Sequence, residues 1–270
     1  MSSTTSKNTA RKPMAYAIYP SLTGKRVMIT GGGTGIGAAL VDAFAKQGAQ
    51  VFFIDIAEEA SRKLEHDMRD LPHPPSFHRC DLTDLNALSS TFAGIARQHG
   101  AIDILINNAA NDDRHQVADV TAQYWDHNQA VNLRHQFFCA QAVAPGMKAA
   151  GGGVILNFGS ISWHLALSNL TLYMTAKAAI EGLTRGLARD LGEDGIRVNS
   201  IIPGSIKTER QMALWHTAEG EQKILAEQCL HERVEPEDVA AMALFLASDN
   251  AARCSGRDYY VDAGWYGPGA

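Results

Sequence analysis

The chain has 270 residues, 46% of them hydrophobic, and a formal net charge of -5 from 24 basic and 29 acidic side chains. That is apolar material for one sizeable core, and a weakly acidic balance excludes the extended positive field that a nucleic-acid partner requires. Cys80, Cys139, Cys229 and Cys254 stand far apart with no C-x-x-C pair, which excludes a disulfide framework and a zinc cluster and predicts a reducing, cytoplasmic setting.

In chain order, residues 1–20 are rich in Ser, Thr, Lys and Arg, hold no apolar run of signal-peptide length, and are expected to form a flexible arm ahead of a single domain over 21–270. No stretch approaches the roughly 18 apolar residues of a membrane span. From Lys25 onward, short apolar runs alternate with segments of helical period, the pattern of repeated strand and helix units on a parallel sheet. The predicted strands are 27–30, 51–54, 76–79, 104–107, 154–158, 198–202 and 259–261, and the predicted helices 36–47, 58–69, 84–99, 121–149, 172–191 and 236–248. Several strands are apolar throughout, as strands covered by helices on both faces must be. The fold class is therefore α/β: one doubly wound (Rossmann) domain with a seven-stranded parallel sheet. Three prolines mark residues 71–75 as a loop, and residues 205–234, after Pro203-Gly204, form a predicted lid over the ligand crevice.

The first strand runs directly into Thr30-Gly31-Gly32-Gly33-Thr34-Gly35-Ile36-Gly37, which opens the first helix. Glycines let the backbone approach a pyrophosphate, and the amino end of the helix presents free N–H groups to its charge. Asp55 ends the second strand, where a carboxylate accepts hydrogen bonds from the adenosine ribose hydroxyls and repels a 2'-phosphate; the alternative is a helix cap before Ala57. No Arg or Lys lies in the glycine turn, where Thr34 takes the place open to one, so NAD is the predicted cofactor. Asp81, ending the third strand, is placed to meet the adenine edge or to cap the helix near Asp84.

Tyr173-Met174-Thr175-Ala176-Lys177 and Ser160, thirteen residues earlier, form a second cluster. Tyr173 and Lys177 are one helical turn apart on one face, so an ammonium can stabilise a phenolate whose ordinary pKa, about 10, is too high for a base near neutrality. Ser160 supplies a hydroxyl for the substrate oxygen. With Asn107-Asn108-Ala109-Ala110, Asn132 and Pro203-Gly204, these residues resemble the short-chain dehydrogenase/reductase family over residues 25–265, with Ala110 departing from the family's usual glycine. The resemblance implies an oxidoreductase acting on a CH–OH group, with Asn132, Ser160, Tyr173 and Lys177 catalytic and Asn132 orienting a carbonyl and a water that link Lys177 to solvent. It also implies a homotetramer. The cofactor contacts implied are Gly31, Gly33, Thr34, Gly35, Ile36, Gly37, Asp55, Ile56, Asp81, Leu82, Asn108, Ala109, Ala110, Tyr173, Lys177, Pro203, Gly204, Ile206 and Thr208.

A polar rim surrounds the expected nicotinamide pocket: Asn111, Asp112, Asp113, Arg114 and His115 after the fourth strand, and Ser162, Trp163, His164 and Asn169 after the fifth. Such a rim suits a substrate with several hydroxyls. These stretches and Asp262-Ala263-Gly264-Trp265 are similar to bacterial NAD-dependent aldose 1-dehydrogenases. That similarity implies oxidation of a sugar's C1 hydroxyl to a lactone, with D-xylose favoured and L-arabinose, D-galactose, L-fucose, a polyol or a keto-acid as alternatives. The substrate contacts expected are Asn111, Asp112, Ser160, Ser162, His164, Asn169, Tyr173 and Trp265. A non-catalytic NAD sensor is the alternative of another class, and the ten histidines show no metal-binding spacing.

Overall fold

A computed structural model describes residues 15–267. Seven strands, β1 (Arg26–Thr30), β2 (Gln50–Asp55), β3 (Ser76–Arg79), β4 (Ile104–Asn107), β5 (Gly153–Phe158), β6 (Ile196–Pro203) and β7 (Asp258–Val261), form one sheet in the order β3-β2-β1-β4-β5-β6-β7. Every pairing is parallel. The order reverses between β1 and β4, which opens a crevice at the carboxyl ends of the strands.

Because alternate side chains of a strand point to opposite faces, each strand feeds two cores. Val27 and Ile29 of β1 are buried with Leu40 and Phe44 of α1 (Gly35–Lys46) and with Ala243 and Leu244 of α9 (Pro236–Ala247). Met28, between them, is buried on the other face with Phe92 of α3 (Leu85–His99) and Cys139 and Met147 of α5 (His135–Ala149). Both faces are apolar, as the sequence pattern predicted. α2 (Glu58–Asp67) lies beside β3, and α6 (Thr171–Leu191) packs along β6.

The single helix predicted over 121–149 is not continuous. α4 (Ala122–Gln129) passes through a π-helical turn, Ala130–Arg134, into α5. The apolar period runs through the break, so the sequence hides it. The wider turn buries Asn132 completely, and such turns recur where a helix must aim a functional group.

Residues 1–14 of the expected arm lie outside the described residues. Residues 15–20 are held to the domain: the Tyr19 N–H donates to Gln47 Oε1 at 2.8 Å, and Gln47 Nε2 donates to the Ala17 carbonyl at 2.9 Å. The predicted lid contains α7 (Glu209–Leu214) and α8 (Ala218–Glu227), tied at its base by a parallel bridge between Ile206 and Val234. No helix among the described residues is long and apolar enough to cross a membrane.

Candidate active site

The strand ends at the crevice place the two sequence clusters together. Thr30 ends β1, and its buried Oγ1 accepts from the Asn108 and Ala109 N–H groups at 3.0 and 3.1 Å. Asn108 Nδ2 donates back to the Thr30 and Gly31 carbonyls at 3.1 and 2.9 Å, so the glycine turn is fixed to the loop after β4. Gly31 has φ +65°, and a Cβ there would stand 2.7 Å from Ala109 Cα. Gly37 is more constrained still: a Cβ would lie 1.7 Å from the Gly31 carbonyl oxygen. Thr34 precedes α1 in an extended conformation without capping it through its side chain, which leaves the first N–H groups of that helix free for an anion.

Asp55 is oriented by both oxygens: Oδ2 accepts from the Gly33 N–H and Oδ1 from the Ala57 N–H, each at 2.8 Å. Asp55 does not cap α2, whose N-cap is Ala57 with no side-chain cap; its two backbone bonds instead aim the carboxylate and leave lone pairs for ribose hydroxyls. Ile56 beside it is 66% exposed, an apolar surface beside the glycine turn. Asp81 does not cap α3. It accepts from Thr83 N and Oγ1, both at 2.8 Å, while Asp84 caps the helix through Asn86 and Ala87. Across the crevice, Thr208 caps α7, and its methyl would lie 3.2 Å from a Cβ on Gly35. Gly204 lets the strand end approach Asp262, whose Cα would be 2.7 Å from an added Cβ. Ala110 avoids the left-handed region, so its methyl imposes no backbone strain. Uncapped helix N–H groups, a backbone shaped around absent Cβ atoms and an aimed carboxylate together fit a dinucleotide.

Tyr173 and Lys177 lie on α6 as predicted, with the Lys177 Nζ 5.4 Å from the Tyr173 ring centre. Lys177 is 1% exposed and donates to the Phe158 carbonyl at 2.7 Å. Burial depresses its pKa to about 7, and Asp112 pulls the other way. Burial also raises the Tyr173 phenol above its ordinary value; Asp112 adds to the rise, and a hydrogen bond with Ser160 opposes it. Ser160 Oγ accepts from the Ser162 N–H at 3.1 Å, which fixes the hydroxyl at the end of β5. Asn132 grips the loop after β4: its Oδ1 accepts from the Asn111 N–H at 2.8 Å and its Nδ2 donates to the Asn111 carbonyl at 3.0 Å. The arrangement can hold an alcohol oxygen between a hydroxyl and a phenol and take a proton from it.

The rim divides. Asp112 faces Tyr173 and Lys177 electrostatically, and Ser162 is buried beside Ser160. His164 does not offer Nε2 to a ligand: that nitrogen lies 2.9 Å from Glu181 Oε1 and 3.1 Å from the Tyr260 hydroxyl, inside an aromatic stack with Trp163 and Tyr266. Trp163 Nε1 donates to the same Glu181 oxygen at 2.8 Å. Asn169 takes a left-handed φ of +62° and accepts from the His115 N–H at 3.0 Å and from Gln116 Nε2 at 3.3 Å. Trp265 Nε1 donates to Glu227 Oε2 of α8 at 2.9 Å. Of the residues expected as substrate contacts, His164 is engaged through Nε2, Asn169 through its carbonyl and amide oxygens, and Trp265 through its indole N–H, each by partners within the chain. Sequence reasoning missed Thr30, Asn157 and Glu181. Asn157 had a signal, being an amide within an apolar strand; its Oδ1 accepts from Asn107 Nδ2 at 3.0 Å and its Nδ2 donates to Thr184 at 3.0 Å. No group of three or more metal-ligating side chains gathers among the described residues.

A family model described as enoyl-(acyl carrier protein) reductase matches residues 31–266. A D-xylose 1-dehydrogenase from Caulobacter vibrioides is 60% identical over 252 residues, which covers 93% of this chain and 100% of that protein. A probable galactose dehydrogenase from Rhizobium meliloti is 45% identical over 247 residues, covering 91% and 96%. Among solved structures, a 7α-hydroxysteroid dehydrogenase complexed with NADH and 7-oxo glycochenodeoxycholic acid superposes with a TM-score of 0.86 at 36% identity, covering 91% of this chain and 96% of that one.

Proposed function

This chain belongs to the short-chain dehydrogenase/reductase family, and on that premise we propose that it is an NAD-dependent aldose 1-dehydrogenase that oxidises the C1 hydroxyl of a pentose, D-xylose first, to the lactone. The observation that carries the reading is the meeting of Tyr173, Lys177 and Ser160 with a carboxylate rim, Asp112, in a chain 60% identical to a D-xylose 1-dehydrogenase. The glycine turn from Gly31 to Gly37 and Asp55 hold the dinucleotide, and Asp55 favours the form without a 2'-phosphate. A nicotinamide held there would supply the acceptor for the hydride that leaves C1. Ser160 holds the anomeric oxygen, and Tyr173 takes its proton. The Lys177 ammonium, protonated in part near neutrality, stabilises the resulting phenolate. Asn132 fixes the rim at Asn111 through both its side-chain oxygen and nitrogen.

Initial rates for a panel of aldoses and polyols, each with NAD and NADP, test the substrate and cofactor together. No turnover of any aldose at millimolar concentration refutes the sugar assignment, and preference for D-galactose transfers it to the activity named for the 45% identical relative. Tyr173→Phe should cost about 10²- to 10⁴-fold in kcat; near-normal turnover by a folded variant refutes the mechanism. We further propose a cytoplasmic homotetramer. The apolar groove between α5 and α6, lined by Leu133, Phe137, Phe138 and Leu183, supports self-association, and a monomeric mass by light scattering refutes it.

A further inference from the structure

The segment after β6 is not merely laid over the crevice; it is fastened to the rim. Arg210 on α7 donates through Nη2 to Asn111 Oδ1 at 3.0 Å and to Asp113 Oδ1 at 2.7 Å, and through Nε to Asp112 Oδ1 at 3.3 Å. Gln211 Nε2 donates to the other Asp112 oxygen at 2.7 Å. The Arg114 guanidinium caps the Trp215 ring at 4.6 Å, a second contact between the same two segments. The partners are nearly one hundred residues apart in sequence, so these bonds exist only while the segment is down.

The rim is held from the other side by the catalytic machinery. Asn132 grips Asn111 through two hydrogen bonds, and the Asp112 charge acts on both Tyr173 and Lys177. Arg210 is half-exposed, as is Asp113, and exposed ion pairs are weak, so the fastening can open for substrate. We propose that Arg210 is a positioning residue that couples closure of residues 205–234 to catalysis, by neutralising the rim carboxylate that faces Tyr173 and aiming it at the substrate. The inference rests on the dehydrogenase mechanism proposed above. With the segment down, the guanidinium offsets the Asp112 charge; with it raised, that charge opposes formation of the phenolate unscreened. The other groups acting on the pair are the Ser160 hydroxyl and His135 on α5 beside Lys177, which burial keeps neutral near pH 7.

Two measurements on Arg210→Met, Arg210→Lys, Asp112→Asn and the Arg210→Met/Asp112→Asn double variant test this. The first is kcat/KM against pH with whichever alcohol of the panel is turned over fastest, so that failure of the sugar assignment leaves this test standing. Arg210→Met should move the limb that reports the base to higher pH by about half a unit or more. Arg210→Lys should leave the limb near the wild-type position, Asp112→Asn should move it down, and the double variant should follow Asp112→Asn. The second is limited proteolysis of the cofactor-free protein, in which cleavage within 205–234 should be several-fold faster in Arg210→Met. An unmoved limb in Arg210→Met, an upward shift that persists in the double variant, or unchanged cleavage overturns the proposal.

Discussion

Lys177→Met should abolish turnover and stabilise the fold at the same time. The wild-type ammonium is 1% exposed and its pKa falls from the ordinary 10.5 to about 7 through burial. At about 1.4 kcal/mol per unit, carrying the charged form into the folded state costs on the order of 5 kcal/mol. Methionine has a similar length and no charge. It leaves the Phe158 carbonyl without its 2.7 Å donor, a loss of about 1–3 kcal/mol. The variant should therefore be more stable than wild type by about 2–4 kcal/mol below pH 7. Because the folded pKa lies below the unfolded one, the cost is present in full below pH 7 and is relieved as pH rises towards 10.5. The stability gap should shrink across that window and reverse near its upper end, where only the lost hydrogen bond counts. Urea unfolding of both proteins at pH 6, 7.5, 9 and 10 measures it. A gap that does not change with pH, or a wild type that is the more stable at pH 6, refutes the argument.

Gly37→Ala sets a methyl 1.7 Å from the Gly31 carbonyl oxygen, a backbone atom that cannot swing away. Cofactor affinity should fall at least about tenfold and stability by about 1–3 kcal/mol, read by cofactor fluorescence titration and thermal melting; an unchanged Kd contradicts the close approach. Asp55→Ser removes the charge aimed by Gly33 and Ala57, and the ratio of kcat/KM for NADP over NAD should rise about tenfold or more; a constant ratio shows that Asp55 does not discriminate. His135 is wholly buried and its pKa is pushed down to about 3, first by burial and then by Lys177. Between pH 6.5 and 3 the unfolded chain binds a proton there that the folded one does not, so stability drops as pH falls. His135→Leu should move the acid-unfolding midpoint, followed by circular dichroism, to lower pH; a midpoint that stays put assigns the acid sensitivity elsewhere.

The fold was legible because both faces of the sheet are covered: continuous apolar runs such as Val27–Ile29 and Ile104–Ile106 admit few arrangements other than a parallel sheet between helices. The glycine turn and the Tyr173–Lys177 pair were legible because their chemistry depends on spacing within one element, which a sequence displays directly. The π-helical turn at Asn132 was not, since the apolar period continues through it. His164, Asn169 and Trp265 have the chemistry of sugar contacts, yet Glu181, His115 with Gln116, and Glu227 engage them, and each of those partners is decided by packing between elements far apart in the chain.

What the sequence determined by itself was the class of fold, and it located the glycine turn and the Tyr173–Lys177 pair proposed for cofactor binding and catalysis, because each rests on local periodicity or local spacing. What only the tertiary structure decided was which polar side chains face the crevice and which fasten loops, and that Arg210 meets Asp112 at all. A hydrogen bond needs its two atoms within about 3 Å and in line. Between residues nearly one hundred apart, nothing but the folded chain sets that distance.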